Sequence, residues 1–367
     1  MERPVIRTAA WLLTFAALAL LLAWVVSRVV SDRFEWSQYL FWVPTPAVFL
    51  VGCLLLLTAS ALGRAARPIS PRDRLGPRAP AARTRAVAWA VWLGVLAWMF
   101  FAEWNGARYL TGPPPPPQSP AEGTLRVLFW NSMDAPELVE DALSRHPDVV
   151  VLTNPPTRVD WAALRGGLGE ASTTRRERHA VASRFPILRW GATSLGIKGA
   201  RPRSFIFRGG GYVIQDTGHA MFLELDTGLL NRPLVLWVID LPSDFNLSRW
   251  EVMRQAAATL HATPGPAYRR VEGRDVPEEI EGFPTPDLIV GDFNTPRGSE
   301  SLKELTGSMA DAFEQAGRGF AATWPREWPL LAIDHAFVGP DLRATGYEVV
   351  DFGEGRHRAE VVDVVAR

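Results

Sequence analysis

The first 104 residues alternate long apolar runs with short polar segments. Three runs stand out, at about residues 9–30, 39–62 and 86–104. Each contains about the 20 predominantly apolar residues that a helix needs to cross the hydrocarbon core of a bilayer. Pro44 and Pro46 fall in the first turns of the second run, where proline does little harm to a membrane helix. The pattern predicts a membrane anchor of three transmembrane helices within residues 1–104.

The positions of the arginines predict how this anchor is oriented. The segment 63–85, between the second and third runs, contains seven arginines and a single acid, Asp73, whereas the segment 31–38 is nearly balanced. Loops rich in Lys and Arg stay on the cytoplasmic side of a membrane. Arg3 and Arg7 place the N-terminus on that side as well. We therefore expect a multi-pass protein of the cell membrane, with a cytoplasmic N-terminus and a C-terminal domain in the periplasm or the exterior of a bacterium.

A cleaved signal peptide is the alternative interpretation of the first run. The run is longer than the apolar core of a signal peptide, has no obvious small-residue cleavage site, and is followed by two further runs. After the third run, an unbroken proline stretch, Pro113–Pro117, favours an extended spacer. We interpret residues 105–123 as a proline-rich linker.

From residue 124 onward, short β-rich apolar runs alternate with helix-like stretches, which is typical of a mixed α/β domain. We predict strands at 125–130, 148–153, 180–183, 220–225, 234–241, 287–290, 332–338 and 361–364. We predict helices at 135–145, 249–261, 299–305 and 309–316. Residues 124–367 are therefore expected to form one α/β (α+β) domain.

Charge and cysteine content narrow the classes of partner. Residues 1–104 carry 11 arginines, no lysine and five acids, a net charge of +6, so the remainder of this neutral chain carries −6. A mildly acidic domain lacks the basic surface with which proteins bind long nucleic acids through their phosphates. The single cysteine, Cys53, excludes an intrachain disulfide and a cysteine cluster for zinc.

Eight short motifs follow one another through this domain in a characteristic order. They are LRVLFWN, HPDVVVLTN, AVASRFPI, LWVIDLPSD, LIVGDFNTP, the Thr323-Trp324-Pro325 turn, AIDHAFV and RHRAEVVDV. In this order and spacing the chain resembles the endonuclease/exonuclease/phosphatase superfamily over about residues 124–367, and GDFN is the most specific motif. The resemblance implies a four-layer α/β/β/α sandwich with its active site where the strand ends converge. It also implies Mg²⁺ or another divalent cation, and a phosphate-ester substrate.

The resemblance assigns roles to five residues. Asp292 matches the aspartate that contacts the metal or orients the attacking water, and Asn294 matches an amide that orients the phosphate. Asn131 matches the asparagine that ends the first strand near the metal. Asp334 and His357 match a dyad in which the carboxylate fixes the imidazole, so that it can stabilise or protonate the phosphoryl transition state.

Three positions depart from the family pattern. Asn154 stands where the principal metal-binding glutamate is expected, Asp240 where a histidine is usual, and Arg356 where an aspartate precedes the final histidine. Asp240 and Asn154 can join Asp292 as metal ligands, or Arg356 can bind phosphate directly together with Asn294 and Asp240. Either the domain is a metal-dependent hydrolase of phosphodiesters or phosphomonoesters, or it binds a phosphorylated ligand or a partner protein without turnover.

A basic segment precedes the AVASRFPI motif and has two interpretations. Arg175, Arg176, Arg178 and His179 can meet an anionic substrate, but charged loops are usually solvated. The Asp and Asn residues named above also have a structural interpretation, because such residues commonly form turns at strand ends. Only the order of the motifs favours the functional one.

Overall fold

The computed structural model describes residues 3–66, 79–111, 120–133, 135, 138–156, 159–169, 171–200, 202–207, 210–262 and 265–367. The proline stretch Pro113–Pro117 and most of the arginine-rich segment lie outside the described residues. The chain divides into two compact units, Met1–Ala107 and Arg108–Arg367, which we call unit 1 and unit 2.

Unit 1 is helical. Its helices are α1 (Arg3–Val30), α2 (Glu35–Phe41), α3 (Thr45–Ala65) and α4 (Ala79–Trp98), and a π-helical turn (Met99–Glu103) continues α4. Three stretches, Pro4–Val30, Thr45–Ala65 and Arg83–Glu103, are long and apolar enough to cross a membrane. The second predicted run divides before Thr45, because Pro44 is the N-cap of α3 and Pro46 lies in its first turn, a position that proline favours.

One glycine sets the packing of unit 1. A Cβ atom at Gly52 of α3 would lie 2.2 Å from the Trp92 ring, so only glycine allows this approach. Trp92 is fully buried against Ala17, Val48 and Leu56. The large apolar side chains elsewhere on these helices, such as Leu12 and Leu54, are well exposed, as a lipid-facing surface requires.

Unit 2 is built from two large β-sheets and one hairpin. The strands are β1 (Leu125–Asn131), β2 (Val149–Thr153), β3 (Ser172–Arg176), β4 (His179–Ser183), β5 (Ile187–Ser194), β6 (Pro202–Phe207), β7 (Gly210–Gln215), β8 (His219–Leu225), β9 (Leu234–Asp240), β10 (Pro266–Val271), β11 (Arg274–Glu279), β12 (Leu288–Asp292), β13 (Ala310–Asp311), β14 (Asp334–Val338), β15 (Leu342–Val350) and β16 (Ala359–Ala366). The smaller sheet has the order β15-β16-β1-β2-β4-β3, and the larger sheet has the order β11-β10-β5-β8-β9-β12-β14-β13. Among the described residues, strands β6 and β7 pair only with each other.

Helices cover the outer faces of both sheets. On the smaller sheet these are α6 (Val139–Leu143) and α7 (Trp161–Gly167), and on the larger sheet they are α8 (Arg249–Ala262), a 3₁₀ turn (Glu300–Leu302) and α9 (Lys303–Thr306). Helix α10 (Ala312–Ala316) instead places Ala312 and Phe313 in the core between the sheets, and α5 (Arg108–Thr111) contacts α10. Alternation along β1 shows the layering, since Val127 and Phe129 pack between the sheets while Leu128 packs outward with Leu164 of α7. On the larger sheet, Trp237 packs outward with Met253 of α8. The predicted four-layer α/β/β/α sandwich is confirmed.

Strand register brings the ends of several strands to one edge of the sandwich. In the smaller sheet, β1 runs parallel to β2 and Asn131 is the partner of Thr153. In the larger sheet, β9 runs parallel to β12, and β14 runs antiparallel to β12. The ends of β9 and β12 therefore meet the start of β14 at the same edge.

Candidate active site

Three carboxylates lie side by side at this edge of the larger sheet. Asp292 of β12 is the register partner of Asp240 on β9 and of Asp334 on β14. Neighbouring strands lie about 4.8 Å apart, so the three side chains form a compact row. All three are buried. From the facing sheet, Asn131 Nδ2 donates a hydrogen bond of 2.8 Å to Asp292 Oδ2, so the edges of the two sheets are joined at the site.

These residues belong to a polar layer that ends the apolar core between the sheets. Side chains two apart on a strand point to the same face. The inward residues Phe129, Val151, Val181, Met221, Val238, Val290 and Ala336 belong to the core. Two positions further toward the edge on the same strands are Asn131, Thr153, His179, His219, Asp240, Asp292 and Asp334. We call these seven residues the inner polar layer. Every second residue of these strands points inward, so the same alternation supplies both the core residues and the residues of the site.

A histidine–carboxylate pair adjoins the row of carboxylates. His357 lies in the loop before β16, and its Nδ1 is 2.9 Å from Asp334 Oδ2. Its Nε2 is 3.8 Å from Asp292 Oδ2. Strand β1 fixes this loop, because Trp130 Nε1 donates a hydrogen bond of 3.1 Å to the His357 carbonyl oxygen. The imidazole is therefore fixed with Nε2 facing Asp292.

Burial and crowding of charge change the pKa values of these groups. Burial, followed by repulsion from Asp292, raises the pKa of Asp240 well above its usual value. Burial, followed by repulsion from Asp334, raises the pKa of Asp292 to about 7. Burial lowers the pKa of His357, but the carboxylates of Asp334 and Asp292 outweigh it and raise that pKa to about 9. Asp292 destabilises the ionised form of Asp240, and Asp334 destabilises that of Asp292, whereas Asp334 and Asp292 together favour a protonated imidazole.

Asn154 connects the two sheets through amide hydrogen bonds. Its φ is +50°, in the left-handed region, directly after the end of β2. Its Nδ2 lies 3.3 Å from Asn131 Oδ1 and 3.2 Å from Asp240 Oδ2. A continuous chain of polar contacts therefore runs from Asp240 through the two amides to Asp292.

Asn294 and Arg356 are placed differently from the residues above. The Asn294 backbone N–H donates to Asp292 Oδ1 at 2.9 Å, and its Nδ2 donates to the Leu241 carbonyl at 2.8 Å. Asn294 thus fixes the loops that follow β12 and β9. Arg356 directly precedes His357 and its side chain is exposed. Its backbone carbonyl accepts a hydrogen bond from the N–H of Arg326 at 2.9 Å.

The structure places the guanidinium of Arg178 beside the candidate active site, although the residues of a charged loop are usually solvated. Arg178 Nη1 is 3.0 Å from Asp216 Oδ1 and 3.8 Å from Asp240 Oδ2. The Arg178 carbonyl also accepts a hydrogen bond of 2.7 Å from the Asn154 N–H. No motif singled out Asp216. Arg178 belonged to the basic segment, but only the turn before β4 and the position of Asp216 show that it lies beside Asp240.

His179 is a further member of the inner polar layer. Its side chain is fully buried, and neither ring nitrogen has a hydrogen-bond partner within the described part of the chain. Burial, aided by repulsion from His219, lowers its pKa to about 3. The ring is therefore neutral at physiological pH. Its position two residues before Val181 is the sequence signal that could have identified it as inward-facing.

Comparison with known families agrees with the fold and with the order of the motifs. The sequence model described as Endonuclease/Exonuclease/phosphatase family matches residues 129–357, which is more than half of the chain. The chain belongs to this family. Members of the endonuclease/exonuclease/phosphatase family are phosphoric ester hydrolases. The resemblance inferred from the motifs is confirmed.

Several solved structures are similar to the chain. An endonuclease/exonuclease/phosphatase family protein from Bacteroides thetaiotaomicron is 14% identical, with a TM-score of 0.44, over 66% of this chain and 98% of that protein. The mannosyl-6-phosphatase Bt3783 of the same species is 14% identical, with a TM-score of 0.44, over 66% and 99%. The human Nocturnin catalytic domain is 14% identical, with a TM-score of 0.43, over 67% and 94%. A search of curated proteins found no match.

Enzymes of the endonuclease/exonuclease/phosphatase family typically use divalent metals, and the residues present suit such an ion. Asp292, Asp334 and His357 each offer a ligand atom, and these atoms lie within 4.8 Å of one another. The buried Asp334 Oδ1 has no hydrogen-bond partner within the described residues. Carboxylate and amide oxygens are the ligands that Mg²⁺ prefers. A cation among these carboxylates would also offset the repulsion that raises the pKa values of Asp240 and Asp292.

Proposed function

We propose that this chain is a membrane-tethered, divalent-metal-dependent hydrolase of phosphodiester or phosphomonoester bonds. The contact between His357 and Asp334, with Asp292 on the other side of the imidazole, supports this proposal most directly. An imidazole that is oriented by one carboxylate and lies beside a second buried carboxylate can stabilise charge on a phosphoryl group. It can also pass a proton to a leaving group. The net charge of −6 outside residues 1–104 favours small or lipid-linked esters over long nucleic acids.

In this proposal Asp292 orients the attacking water, and Asp334 keeps the His357 ring in place. His357 then donates from Nε2 to a phosphoryl or leaving-group oxygen. Asn131 and Asn294 keep Asp292 in position through the hydrogen bonds described above, and Asn294 also orients the phosphate. A divalent cation held by these carboxylates would supply electrostatic stabilisation of the phosphoryl oxygens.

We assign the cation to Asp292 and Asp240, with the amide oxygen of Asn154 as a neutral third ligand. Asp334 can add a ligand only through its unpartnered Oδ1, because its Oδ2 is engaged by His357 Nδ1. An amide can turn its oxygen toward a cation in place of its Nδ2. Asp240 would thereby compensate for the carboxylate that position 154 lacks.

Hydrolysis of bis(p-nitrophenyl) phosphate and p-nitrophenyl phosphate by the purified full chain, with Mg²⁺ or Mn²⁺ and after chelation, tests this function. Asp292→Asn and His357→Gln are expected to remove the activity. Asp226→Asn and His261→Gln are matched controls at exposed positions and are expected to retain it. Activity that survives chelation, or that persists in Asp292→Asn, contradicts the proposal.

A second candidate function is binding of a phosphorylated ligand without turnover. The observation that favours it is the cation at Arg178, which brings a guanidinium to 3.8 Å from Asp240 while position 154 carries no charge. A guanidinium binds phosphate well without a metal. In that case every metal leaves the chain inactive, yet inorganic phosphate raises its thermal unfolding temperature, and Arg178→Gln removes this protection. Arg356, which is exposed beside His357, is a further phosphate contact in either case.

The tether is part of the proposal, with the N-terminus in the cytoplasm and unit 2 outside. The three apolar stretches and the arginine-rich segment support it. A Cys53→Ser variant carrying Asp226→Cys gives a single thiol at an exposed position of unit 2. A membrane-impermeant maleimide is expected to label that thiol in intact cells. Labelling only after the cells are lysed contradicts the orientation.

A further inference from the structure

Residues 319–331, which we call the aromatic loop, expose several large apolar side chains. Trp328 is 80% exposed, Leu330 50%, and Trp324 38%. Single exposed apolar residues are common, but two tryptophans and a leucine within seven residues of one loop form a patch of the kind that marks a contact surface. Indole rings combine an apolar body with a polar N–H group and concentrate at the boundary between lipid and water.

The aromatic loop is hydrogen-bonded to the candidate active site. The Asp334 N–H donates to Thr323 Oγ1 at 3.4 Å. The Arg326 N–H donates to the Arg356 carbonyl, and the Arg358 N–H donates to the Thr323 carbonyl, each at 2.9 Å. These bonds join the loop to both sides of His357. Whatever the loop contacts therefore lies at the rim of the site.

The chain enters unit 2 next to the aromatic loop. Arg108 of α5 donates hydrogen bonds to the carbonyls of Glu314 and Gln315 in α10. The Arg318 guanidinium lies 5.4 Å from the centre of the Tyr109 ring, and the aromatic loop begins at the next residue. The apolar stretch Arg83–Glu103 ends only four residues before α5.

The two charged residues of the aromatic loop itself, Arg326 and Glu327, are paired. Arg326 contacts Glu327 at 3.1 Å and Asp351 at 3.4 Å, and Arg358 contacts Asp351 at 3.2 Å. Attraction of these arginines to anionic lipids would require breaking those pairs. A contact made by the loop therefore depends on its apolar and aromatic groups and not on net charge.

We propose that the aromatic loop docks on the headgroup region of a phospholipid bilayer, the one that holds the apolar helices of the same chain. This inference rests on the membrane tether of the proposed function, but not on catalysis. Docking positions the rim of the site, on both sides of His357, at the lipid surface. The contact is made through Trp328 and Leu330 and is insensitive to ionic strength.

The test uses the full chain with Cys53→Ser, reconstituted in phosphatidylcholine nanodiscs. A bimane fluorophore is attached at Trp328→Cys, and at Val276→Cys on the edge strand β11 as the control, since Val276 is 46% exposed. Nitroxide placed near the top of the acyl chains is expected to quench the probe at position 328 at least about twofold more than at 276, and aqueous iodide is expected to do the reverse. The difference is expected to persist at about 1 M salt, where the Debye length is only about 3 Å.

Equal lipid quenching at the two positions, or greater iodide access at 328, overturns the inference. Loss of the difference at high salt also overturns it, because the contact would then be electrostatic. If Trp328→Cys fails to fold, Leu330→Cys carries the same probe. Since quenching requires no turnover, a probe that stays in water while the full chain hydrolyses phosphate esters refutes docking and leaves the proposed function standing.

Discussion

Replacement of His179 tests how the inner polar layer depends on pH. Folding buries this ring and lowers its pKa from 6.5 to about 3. The unfolded chain therefore binds a proton that the folded chain does not, at any pH between these values. The stabilisation from keeping the ring neutral is complete above pH 6.5 and is lost as the pH falls from 6.5 toward 3. At pH 5 this loss amounts to about 2 kcal/mol, since one pKa unit corresponds to about 1.4 kcal/mol.

The assay is urea unfolding of unit 2 in the detergent-solubilised full chain, with a chelator present, at about pH 7.5 and pH 5. His179→Gln removes the titrating group, so its free energy of unfolding is expected to fall by about 2 kcal/mol less over this range than that of the parent chain. His261→Gln, at an exposed position of α8, is the control and is expected to leave the pH dependence unchanged. Identical pH dependence in the parent and His179→Gln would refute the reasoning.

Three further predictions concern the site and its support. Asp334→Asn is expected to lower kcat about 10²-fold to 10⁴-fold with little change in KM, because the imidazole loses its orienting carboxylate; steady-state kinetics measures this, and an unchanged kcat contradicts it. Asp240→Asn is expected to raise the Mg²⁺ concentration needed for half-maximal activity about tenfold or more, whereas Asp226→Asn leaves it unchanged; metal titration of the hydrolysis rate decides. Arg297→Gln is expected to destabilise unit 2 by about 3 to 5 kcal/mol in urea unfolding, because it leaves the buried carboxylates of Asp311 and Glu360 without their cation. The surface change Arg269→Gln is the control and is expected to leave the free energy of unfolding nearly unchanged, because an exposed ion pair is screened by solvent.

Continuous apolar runs made much of the fold predictable. Strands β2 and β12 are buried along their whole length, and the predicted 148–153 and 287–290 overlap both. The predicted strands 220–225 and 234–241 correspond to β8 and β9, which pair in antiparallel orientation. Such strands have apolar neighbours on both faces, so composition alone identifies them.

Polar strands were missed because their stability comes from partners that are distant in the sequence. Strands β10 and β11 form an edge hairpin with few apolar residues. Arg269 contacts Glu278 at 3.2 Å across the pair, an interaction that a local pattern does not indicate. The predicted helix 309–316 also begins as strand β13. Asp311 caps the shorter α10 by accepting from the Phe313 N–H, so the helix starts only at Ala312.

The sequence indicated which residues lie together at the candidate site, but it did not indicate the hydrogen bonds and ion pairs among them. The motif order named Asn131, Asp292, Asp334 and His357, and the structure brings these four together. It could not indicate that the two amides at 131 and 154 would bond to each other. Nor could it single out Arg178 as a neighbour of Asp240, because that contact depends on the turn before β4 and on a carboxylate, Asp216, between β7 and β8.

In the inner polar layer, strand register fixes the positions of the side chains, whereas the residue types determine the chemistry of the site. Each of its seven residues is the last inward-facing position of its strand at the site edge, and the next inward-facing residue on that strand belongs to the core. A slip of one residue in any strand would turn that side chain to the opposite face and expose the core with it. An exchange such as aspartate for histidine at Asp240, at the end of β9, needs no such slip. Substitutions in the inner polar layer can therefore change what this sheet edge binds or cleaves without disturbing the core beneath it.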